Sequence, residues 1–501
     1  MKKIKELFKT EYLFILILLV GSCYLRFKNL GYSDYIGDEH KAFLEVPEGQ
    51  STWDFFMSQR KGPMQFLFSH IPYSITGDFR NELAQRLPFS ITSVLSVLVF
   101  YSLVKKLTRK DLIAFISTFL FMVNGFIVGF GRIAQYQNLN LLFSFLALYF
   151  YIDLIENKEE LVKSSLLGTL FWCFSILSHW DAIFILPVVV IIFIKYLVRK
   201  DLEVASKIKI VIFNLVFGCL LLLPFLVPYV RYQLNSVENY EYFERRIEIG
   251  YSLGDRYKLL IELYNPFVTF WLLIVTGILG VFFISKSWIF LVWFLFGYLS
   301  FEIFVRKPGT HIYIFLIPVF ILSGIGISNL IKAAPSVIKK ILVCTMILVS
   351  IFLFYQTHFM FIDHVKEYPW QEKTFYKIKN PPKRLKKYSI LETPTYSYNQ
   401  KLPLFGFPHS RYWDEINNYI NEQNMLNDES YGYITNEWKT ISEWYMDVKY
   451  KADTGFYVIG IKEPLSFVDD WAFVQISGKE LVYTIRDTQG DTVVKIYRVE
   501  K

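Results

Sequence analysis

Cysteine is scarce in this chain of 501 residues, which contains only four: Cys23, Cys173, Cys219 and Cys344. All four lie inside long apolar stretches, and no two have the spacing of metal ligands. We therefore expect neither a disulfide framework nor a cysteine-based zinc site. Each cysteine is interpreted as a small apolar side chain.

Other common signals are missing as well. No small-residue cleavage site follows the lysine-rich N-terminus, so the first apolar segment is interpreted as a signal anchor. The chain has no internal repeat and no low-complexity tract. Its polar C-terminal part has no glycine-rich phosphate loop and no nucleophile elbow, and so gives no sign of independent chemistry. Basic loop residues account for much of the net charge of +8, which therefore does not predict a nucleic-acid partner.

Long apolar stretches dominate instead. Hydrophobic residues make up 53% of the chain, and its mean hydropathy is +0.33; soluble domains do not sustain such values over this length. About eleven stretches reach the ~20 residues that a helix needs to cross a bilayer. They lie at 12–30, 86–104, 111–131, 138–155, 164–180, 181–198, 209–230, 265–284, 287–305, 311–330 and 338–357.

Basic residues predict how these spans are oriented, because cytoplasmic loops carry an excess of lysine and arginine. The N-terminus and the loops after the second, sixth and tenth spans are basic and are placed in the cytoplasm. These residues are Lys2 to Lys9, Lys105 to Lys110, Lys195 to Lys209 and Lys332 to Lys340. The loops 31–85, 130–138, 178–181, 231–264 and 306–310 are expected to face outward. Because the number of spans is odd, the tail is expected on the opposite side of the membrane from the N-terminus, outside the cytoplasm. The protein is expected to be an integral protein of the cell membrane.

The tail differs in composition from the rest of the chain. We predict a transmembrane domain over 1–360 and a soluble extracytoplasmic α/β domain over 361–501. Within the tail, periodicity predicts helices and strands in alternation. The helices are Trp413 to Glu422 and Asn436 to Met446, the second capped by Thr435 or Asn436, and the strands are 431–435, 456–461, 481–485 and 493–496.

The first outer loop carries two adjacent acids, Asp38 and Glu39. A carboxylate pair at a membrane surface is costly unless it is paired or hydrated, which makes it a candidate functional site. Apolar and aromatic residues then recur at helical spacing over 53–75, which is typical of helices lying in the membrane interface. A solvated pair that caps the next helix is the simpler interpretation of the two acids.

Several further motifs follow in a fixed order. They are Gly62-Pro63-Met64-Gln65-Phe66, Arg86-Leu87-Pro88, Gly131-Arg132-Ile133-Ala134, Ser178-His179-Trp180-Asp181 with Pro187, and Lys307-Pro308-Gly309-Thr310-His311-Ile312-Tyr313 with Pro318. Together with the acidic pair and an outward tail, this order resembles the GT-C membrane glycosyltransferases. The similar branch contains the protein O-mannosyltransferases and the aminoarabinose transferase that modifies lipid A. The resemblance covers roughly 1–360.

The resemblance implies transfer of a sugar from a polyprenyl-phosphate donor to an acceptor hydroxyl on a protein, lipid or glycan, with inversion at the sugar. Asp38 is the candidate base and Glu39 the group that orients a substrate. Cationic side chains suit the departing phosphate. The candidates for it are Arg132, Arg86, Arg60, Lys61 and Lys307, with Arg306, and those for sugar or acceptor binding are His179, Asp181 and His311.

A metal is not expected to be obligatory. Relatives often carry an acid shortly after the Gly-Arg-x-Ala segment, and oligosaccharyltransferase-type members hold a divalent ion with acids from two loops. Here that stretch is Gln135-Tyr136-Gln137-Asn138, without a carboxylate. Asp181 could supply the missing acid, which leaves Mg²⁺ or Mn²⁺ open.

Simpler interpretations and other functions stay open from the sequence. Arg86 could extend to lipid headgroups, and His179 could hydrogen-bond to Asp181 across the short turn between two spans. A secondary transporter is the first alternative function, although inverted repeats and broken helices are not evident. A non-catalytic scaffold for glycan assembly is the second.

Overall fold

The computed structural model of the protein describes residues 10–156, 159–235, 261, 263–304, 309–365, 367–369, 404–427, 430–451, 455–462, 476 and 478–500. Helices dominate up to Phe361. They are α1 Thr10–Phe27, α2 Thr52–Ser58, α3 Pro63–Thr76, α4 Glu82–Thr108, α5 Asp111–Val123, α6 Gly125–Phe130, α7 Gln137–Tyr151, α8 Leu161–Ser178, α9 Leu186–Leu197, α10 Val204–Asn235, α11 Phe267–Val281, α12 Ile284–Phe304, α13 Tyr313–Ala333 and α14 Ser336–Phe361.

Among the described residues, nine helices have the length and apolar composition needed to cross a membrane, and two shorter apolar helices lie at Asp111–Val123 and Val268–Val281. Each of the predicted spans falls on one of them. The predicted fold class, a multi-spanning helical membrane protein with a C-terminal α/β part, is thereby confirmed. The helices predicted over 53–75 also form, as α2 and α3.

The third predicted span, 111–131, is wrong as a single helix, because the chain breaks at Asn124 between α5 and α6. The Asn124 side chain accepts the N–H of Phe126 at 3.1 Å and donates to Asn265 at 2.7 Å. Gly125 lies so close to Tyr264 that a Cβ atom there would be 1.8 Å from the Tyr264 carbonyl oxygen. The contacts of Asn124 and Gly125 at this break thus connect the two halves of the helical region.

Two helices organise the packing. In the first half of the chain, α7 packs between α4 and α8, and in the second half α13 packs against α5, α11 and α12. Both helices are buried along most of their length. The turns that precede α7 and α13 therefore have a fixed position relative to each other.

The tail contains two helices, α15 Trp413–Asn427 and α16 Lys439–Tyr445, and four strands, β1 Gly432–Thr435, β2 Gly455–Ile461, β3 Glu480–Arg486 and β4 Thr492–Glu500. They form one sheet in the order β1-β2-β4-β3, parallel between β1 and β2 and antiparallel elsewhere. All the predicted tail elements are present. The predicted cap of α16 is wrong, because that helix begins after Trp438 and the Asn436 side chain bonds to the backbone of Ile461 instead.

The tail packs on the loop between α1 and α4. Tyr35 and Phe43 of the loop share one apolar cluster with Trp413 and Ile416 of α15. The N–H of Tyr35 donates to the Tyr445 hydroxyl at 2.7 Å. The loop that carries Asp38 therefore has the tail on one side and the helices on the other.

Candidate active site

The two adjacent acids point in different directions. Gly37 has φ +61°, a left-handed conformation that favours glycine, and a short 3₁₀ turn over His40–Ala42 follows the acids. The side chain of Asp38 is 51% exposed, whereas that of Glu39 is only 1% exposed. The acids therefore cannot act as one pair.

Glu39 is buried against Arg86, one turn into α4. The guanidinium donates from Nε and Nη2 to the two carboxylate oxygens at 2.7 and 2.9 Å. The remaining Arg86 N–H groups donate to the carbonyls of Leu30, Ser33 and Asp34. Because an arginine has five N–H donors, Arg86 has none left for a phosphate. This geometry contradicts both the substrate-orienting role expected for Glu39 and the phosphate role expected for Arg86.

Arg132 is also occupied. Its Nη1 donates to the carbonyls of Leu25, Arg26 and Lys28, and its Nη2 donates to that of Asn29 at 3.0 Å. These carbonyls lie at and just beyond the end of α1, where helices leave acceptors unpaired. Arg132 thus fixes the end of the first span, and because its side chain is buried, its binding of the donor phosphate stays a prediction.

Asp38 lies in a group of cations. Lys41 contacts its carboxylate at 3.0 Å. Partial burial alone would raise the pKa of the Asp38 carboxyl, but the positive charges of Lys61, Lys41 and Arg60 outweigh it and lower the pKa to about 2. Asp38 is therefore ionised at any physiological pH.

A glycine brings Lys61 into this group. The N–H of Gly62 donates to the carbonyl of Ser178 at 3.3 Å, and a Cβ atom at position 62 would lie 1.9 Å from the Leu177 carbonyl. The start of α3 can therefore rest directly on the end of α8. Lys61 Nζ donates to Gln135 Oε1 at 2.8 Å, and Gln135 in turn donates to the backbone carbonyl of Asp38. Burial lowers the pKa of Lys61 to about 8.

Tyr136 links this group to a second one. Its ring stacks on His179 with the centroids 3.8 Å apart, and its hydroxyl lies 3.3 Å from His311 Nδ1. Lys61 Nζ lies 5.5 Å from the centre of the same ring. The predicted residues Asp38, Lys61 and His179 are thus brought together in one region, although they come from three separate loops.

Asp181 is the centre of the second group. Its carboxylate lies 3.0 Å from His179 Nδ1 and 2.9 Å from His311 Nδ1. The hydroxyl of Tyr313 donates to the same carboxylate at 2.8 Å. The contact between His179 and Asp181 across the turn is therefore present, and His311 joins it from the start of α13.

The other predicted cations have different positions. Arg60 is exposed, and its charge acts on Asp38. Lys307 and Arg306 lie outside the described residues.

Three residues of this region, Gln135, Tyr136 and Tyr313, were not predicted as site residues. The expectation for the segment around Tyr136 concerned only the carboxylate that it lacks. Polar and aromatic side chains in a short loop between two spans were the available signal, because such residues are costly at a membrane surface unless they have partners.

A metal held by Asp38 does not fit this geometry. The charged groups that act on its carboxylate are Lys61, Lys41 and Arg60, and all of them are cations. The oxygen cluster that Mg²⁺ prefers is therefore not formed at this position among the described residues.

Comparison with known proteins agrees with the sequence motifs. The family model described as dolichyl-phosphate-mannose-protein mannosyltransferase matches residues 41–238. The matched segment contains Lys61 and Asp181 and begins just after Asp38 and Glu39. No curated protein matches the chain.

Three similar solved structures have low identity. The Archaeoglobus fulgidus oligosaccharyltransferase in the apo form has 12% identity and TM-score 0.48, with 69% of this chain and 55% of that chain covered. ArnT from Cupriavidus metallidurans bound to undecaprenyl phosphate has 14% identity and TM-score 0.42, with 68% and 63% covered. The S. cerevisiae protein O-mannosyltransferase complex bound to the sugar donor has 16% identity and TM-score 0.36, with 47% and 34% covered.

This chain spans less than two thirds of the length of each of these three structures. At these identities and TM-scores the likenesses do not identify an activity. The family match is independent of them and covers the loops that carry Lys61, Tyr136 and Asp181. The resemblance to membrane mannosyltransferases expected from the motifs is thus confirmed over residues 41–238.

Proposed function

We propose that the protein is a membrane glycosyltransferase that moves a sugar from a polyprenyl-phosphate carrier to an acceptor hydroxyl on the outer side of the membrane. The observation that carries this proposal is the half-exposed carboxylate of Asp38 beside Lys61. Sugar transfer from a phosphate needs such a pair, an anion near the sugar and a cation near the leaving group. The match of residues 41–238 to a mannosyltransferase family supports the same reaction class.

Lys61 is the best-placed group for the donor phosphate. It lies at the start of α3 beside Tyr136, and its side chain is only partly exposed. Arg60 is exposed one residue away and can supply a second charge. Arg86 and Arg132 contribute indirectly, because they fix the loop of Asp38 and the end of α1.

The proposed reaction needs few protein groups. The acceptor oxygen attacks the anomeric carbon, the bond from that carbon to the phosphate oxygen breaks, and the phosphate leaves with the bonding electrons. The acceptor proton passes to the Asp38 carboxylate. One displacement inverts the anomeric configuration.

The low pKa of Asp38 fits this sequence of events. A carboxylate with a pKa of about 2 is a weak base in the free protein. A donor phosphate bound to Lys61 would compensate the charge that lowers this pKa. Asp38 would then become a stronger base only when the donor is present, which limits attack on the donor to the complete complex.

Transfer by the purified full-length protein in lipid nanodiscs tests the proposal. The assay follows release of polyprenyl phosphate from polyprenyl-phosphate-linked hexoses and pentoses, with protein, lipid and glycan acceptors supplied in turn. Asp38→Asn should lower kcat by about 10²- to 10⁴-fold, the usual contribution of a general base. The matched control is Glu48→Gln, an exposed acid of the same loop, which should keep full activity.

Two results would count against the proposal. An active protein whose Asp38→Asn variant keeps its kcat would remove Asp38 from the reaction. Uptake driven by an ion gradient in liposomes, without cleavage of any donor, would favour a secondary transporter instead.

A further inference from the structure

His179, Asp181 and His311 bring three metal-ligand atoms together from two distant parts of the chain. One ligand atom of each residue lies within 4.8 Å of the other two. His179 and Asp181 lie in the turn between α8 and α9, and His311 lies in a 3₁₀ turn over Gly309–Ile312 that leads into α13. Separate segments that converge on one point are typical of a metal site rather than of a local turn motif.

One ring nitrogen of His179 faces two groups of Asp181. His179 Nδ1 lies 3.1 Å from the backbone nitrogen of Asp181. The same atom lies 3.0 Å from an oxygen of the Asp181 carboxylate. A proton on this nitrogen would serve the carboxylate but not the backbone N–H, and a lone pair would serve the backbone N–H but not the carboxylate. A metal ion would take the nitrogen lone pair in place of the backbone N–H and bind the carboxylate as well.

Neighbouring side chains hold the ligands in position. The Tyr313 hydroxyl donates to Asp181 Oδ2, and Asn140 Nδ2 donates to the carbonyl of His179 at 3.2 Å. The indole N–H of Trp172 donates to the carbonyl of Ala182, the residue after Asp181. Hydrogen bonds of this kind orient metal ligands and raise the affinity of a site.

The ligand set selects the type of ion. Two imidazole nitrogens and one carboxylate oxygen suit zinc and other divalent first-row transition metals, whereas Mg²⁺ and Ca²⁺ prefer oxygen ligands throughout. Three protein ligands leave a position open for water or for a substrate oxygen, as in catalytic zinc sites.

We propose that His179, Asp181 and His311 bind one divalent transition-metal ion with an open coordination position. The site lies one aromatic ring away from Lys61, because Tyr136 stacks on His179 and faces Lys61 Nζ. Its role, which rests on the proposed function, is to bind an oxygen of the donor phosphate together with Lys61. The donor would then be held from two sides of Tyr136.

Metal content of the full-length protein in nanodiscs tests the site directly. The protein is stripped with a chelator, incubated with ZnCl₂, dialysed and analysed by mass spectrometry for zinc. The wild type should retain about one zinc ion per chain. His311→Ala and Asp181→Asn should bind zinc more than about tenfold more weakly. The matched control His70→Ala, which removes an exposed histidine of α3, should retain the wild-type amount.

A ligand exchange keeps the test valid if removal of a ligand unfolds the protein. His311→Cys supplies a thiolate, which is also a zinc ligand. With CoCl₂ this variant should show a thiolate-to-cobalt charge-transfer absorption that the wild type lacks. Retention of zinc by His311→Ala at the wild-type level, or no zinc in the wild type, would overturn the proposal.

Turnover of a polyprenyl-phosphate-linked sugar is measured on the same samples. Zinc binding without turnover by any donor supports the metal site and counts against the transferase. Turnover by wild-type protein that binds no zinc supports the transferase and counts against the metal site.

Discussion

Arg86 and Glu39 form a bidentate ion pair in which the two side chains are 2% and 1% exposed. A pair this deeply buried specifies one arrangement of the loop around it, because neither charge hydrogen-bonds to another group of opposite charge among the residues that the structure describes. The N–H of Ala134 also donates to Glu39 at 3.0 Å. The pair thus connects the loop between α1 and α4, the helix α4 itself and the segment before α7.

Glu39→Gln should destabilise the protein without acting on the chemistry directly. The substitution leaves the Arg86 charge buried and unpaired, which typically costs about 3–5 kcal/mol. Thermal unfolding in detergent, followed by tryptophan fluorescence, measures the loss. Glu48→Gln is a matched control, because it makes the same change of charge at an exposed position of the same loop and should leave the unfolding temperature nearly unchanged. Equal unfolding temperatures for the two variants would contradict the assigned roles.

The fold was predictable where one physical property decides it. The spans follow from apolar stretches of the length that a bilayer requires, and each of them falls on a helix. The break at Asn124 was not predictable, because its cause lies in Asn265 and Tyr264, about 140 residues further along the chain. Hydropathy does not report such tertiary contacts.

The site was predictable in its residues and less so in their roles. Asp38 and Glu39 have the same local sequence signal, and only the position of Arg86, 47 residues away, separates them. In the same way, the motif around Arg132 does not show that its guanidinium donates to carbonyls at the end of α1, about 100 residues earlier in the chain. The convergence of His311 on Asp181 depends on the packing of α13, which no motif of the sequence encodes.

Donor binding should weaken as the pH rises through about 8. Burial, assisted by the charges of Lys41 and Arg60 and opposed by Asp38, lowers the pKa of Lys61 to about 8. Below that pH the ammonium group is charged and attracts the phosphate, and above it the charge is lost. By titration of one group, KM for the donor should rise about tenfold between pH 7 and pH 9.

Variants assign this pH dependence to Lys61. Lys61→Arg should abolish the rise, since a guanidinium stays charged throughout this range. Lys449→Arg alters an exposed lysine of the tail and should keep the wild-type profile. If Lys61→Arg shows the wild-type rise in KM, another group titrates and Lys61 does not hold the phosphate.

Arg411 is the main polar connection between the tail and the first loop. Its side chain is fully buried, its Nη1 donates to Glu437 at 2.5 Å, and its backbone N–H donates to Asp34 at 2.7 Å. Its Nη2 donates to the carbonyl of Tyr35. Because Asp34 lies four residues before Asp38, the position of Asp38 depends on the tail.

Arg411→Met should therefore release the loop and lower the stability by about 3–5 kcal/mol, since the buried carboxylate of Glu437 loses the guanidinium that faces it. Hydrogen exchange over residues 33–43 should become faster. Arg80→Met is the matched control, because Arg80 joins the same two parts through Asp447 at 3.2 Å with both side chains at least half exposed. Such an exposed pair contributes at most about 1 kcal/mol. Unchanged exchange over 33–43 in Arg411→Met would mean that the apolar contacts of Tyr35 and Phe43 alone hold the loop.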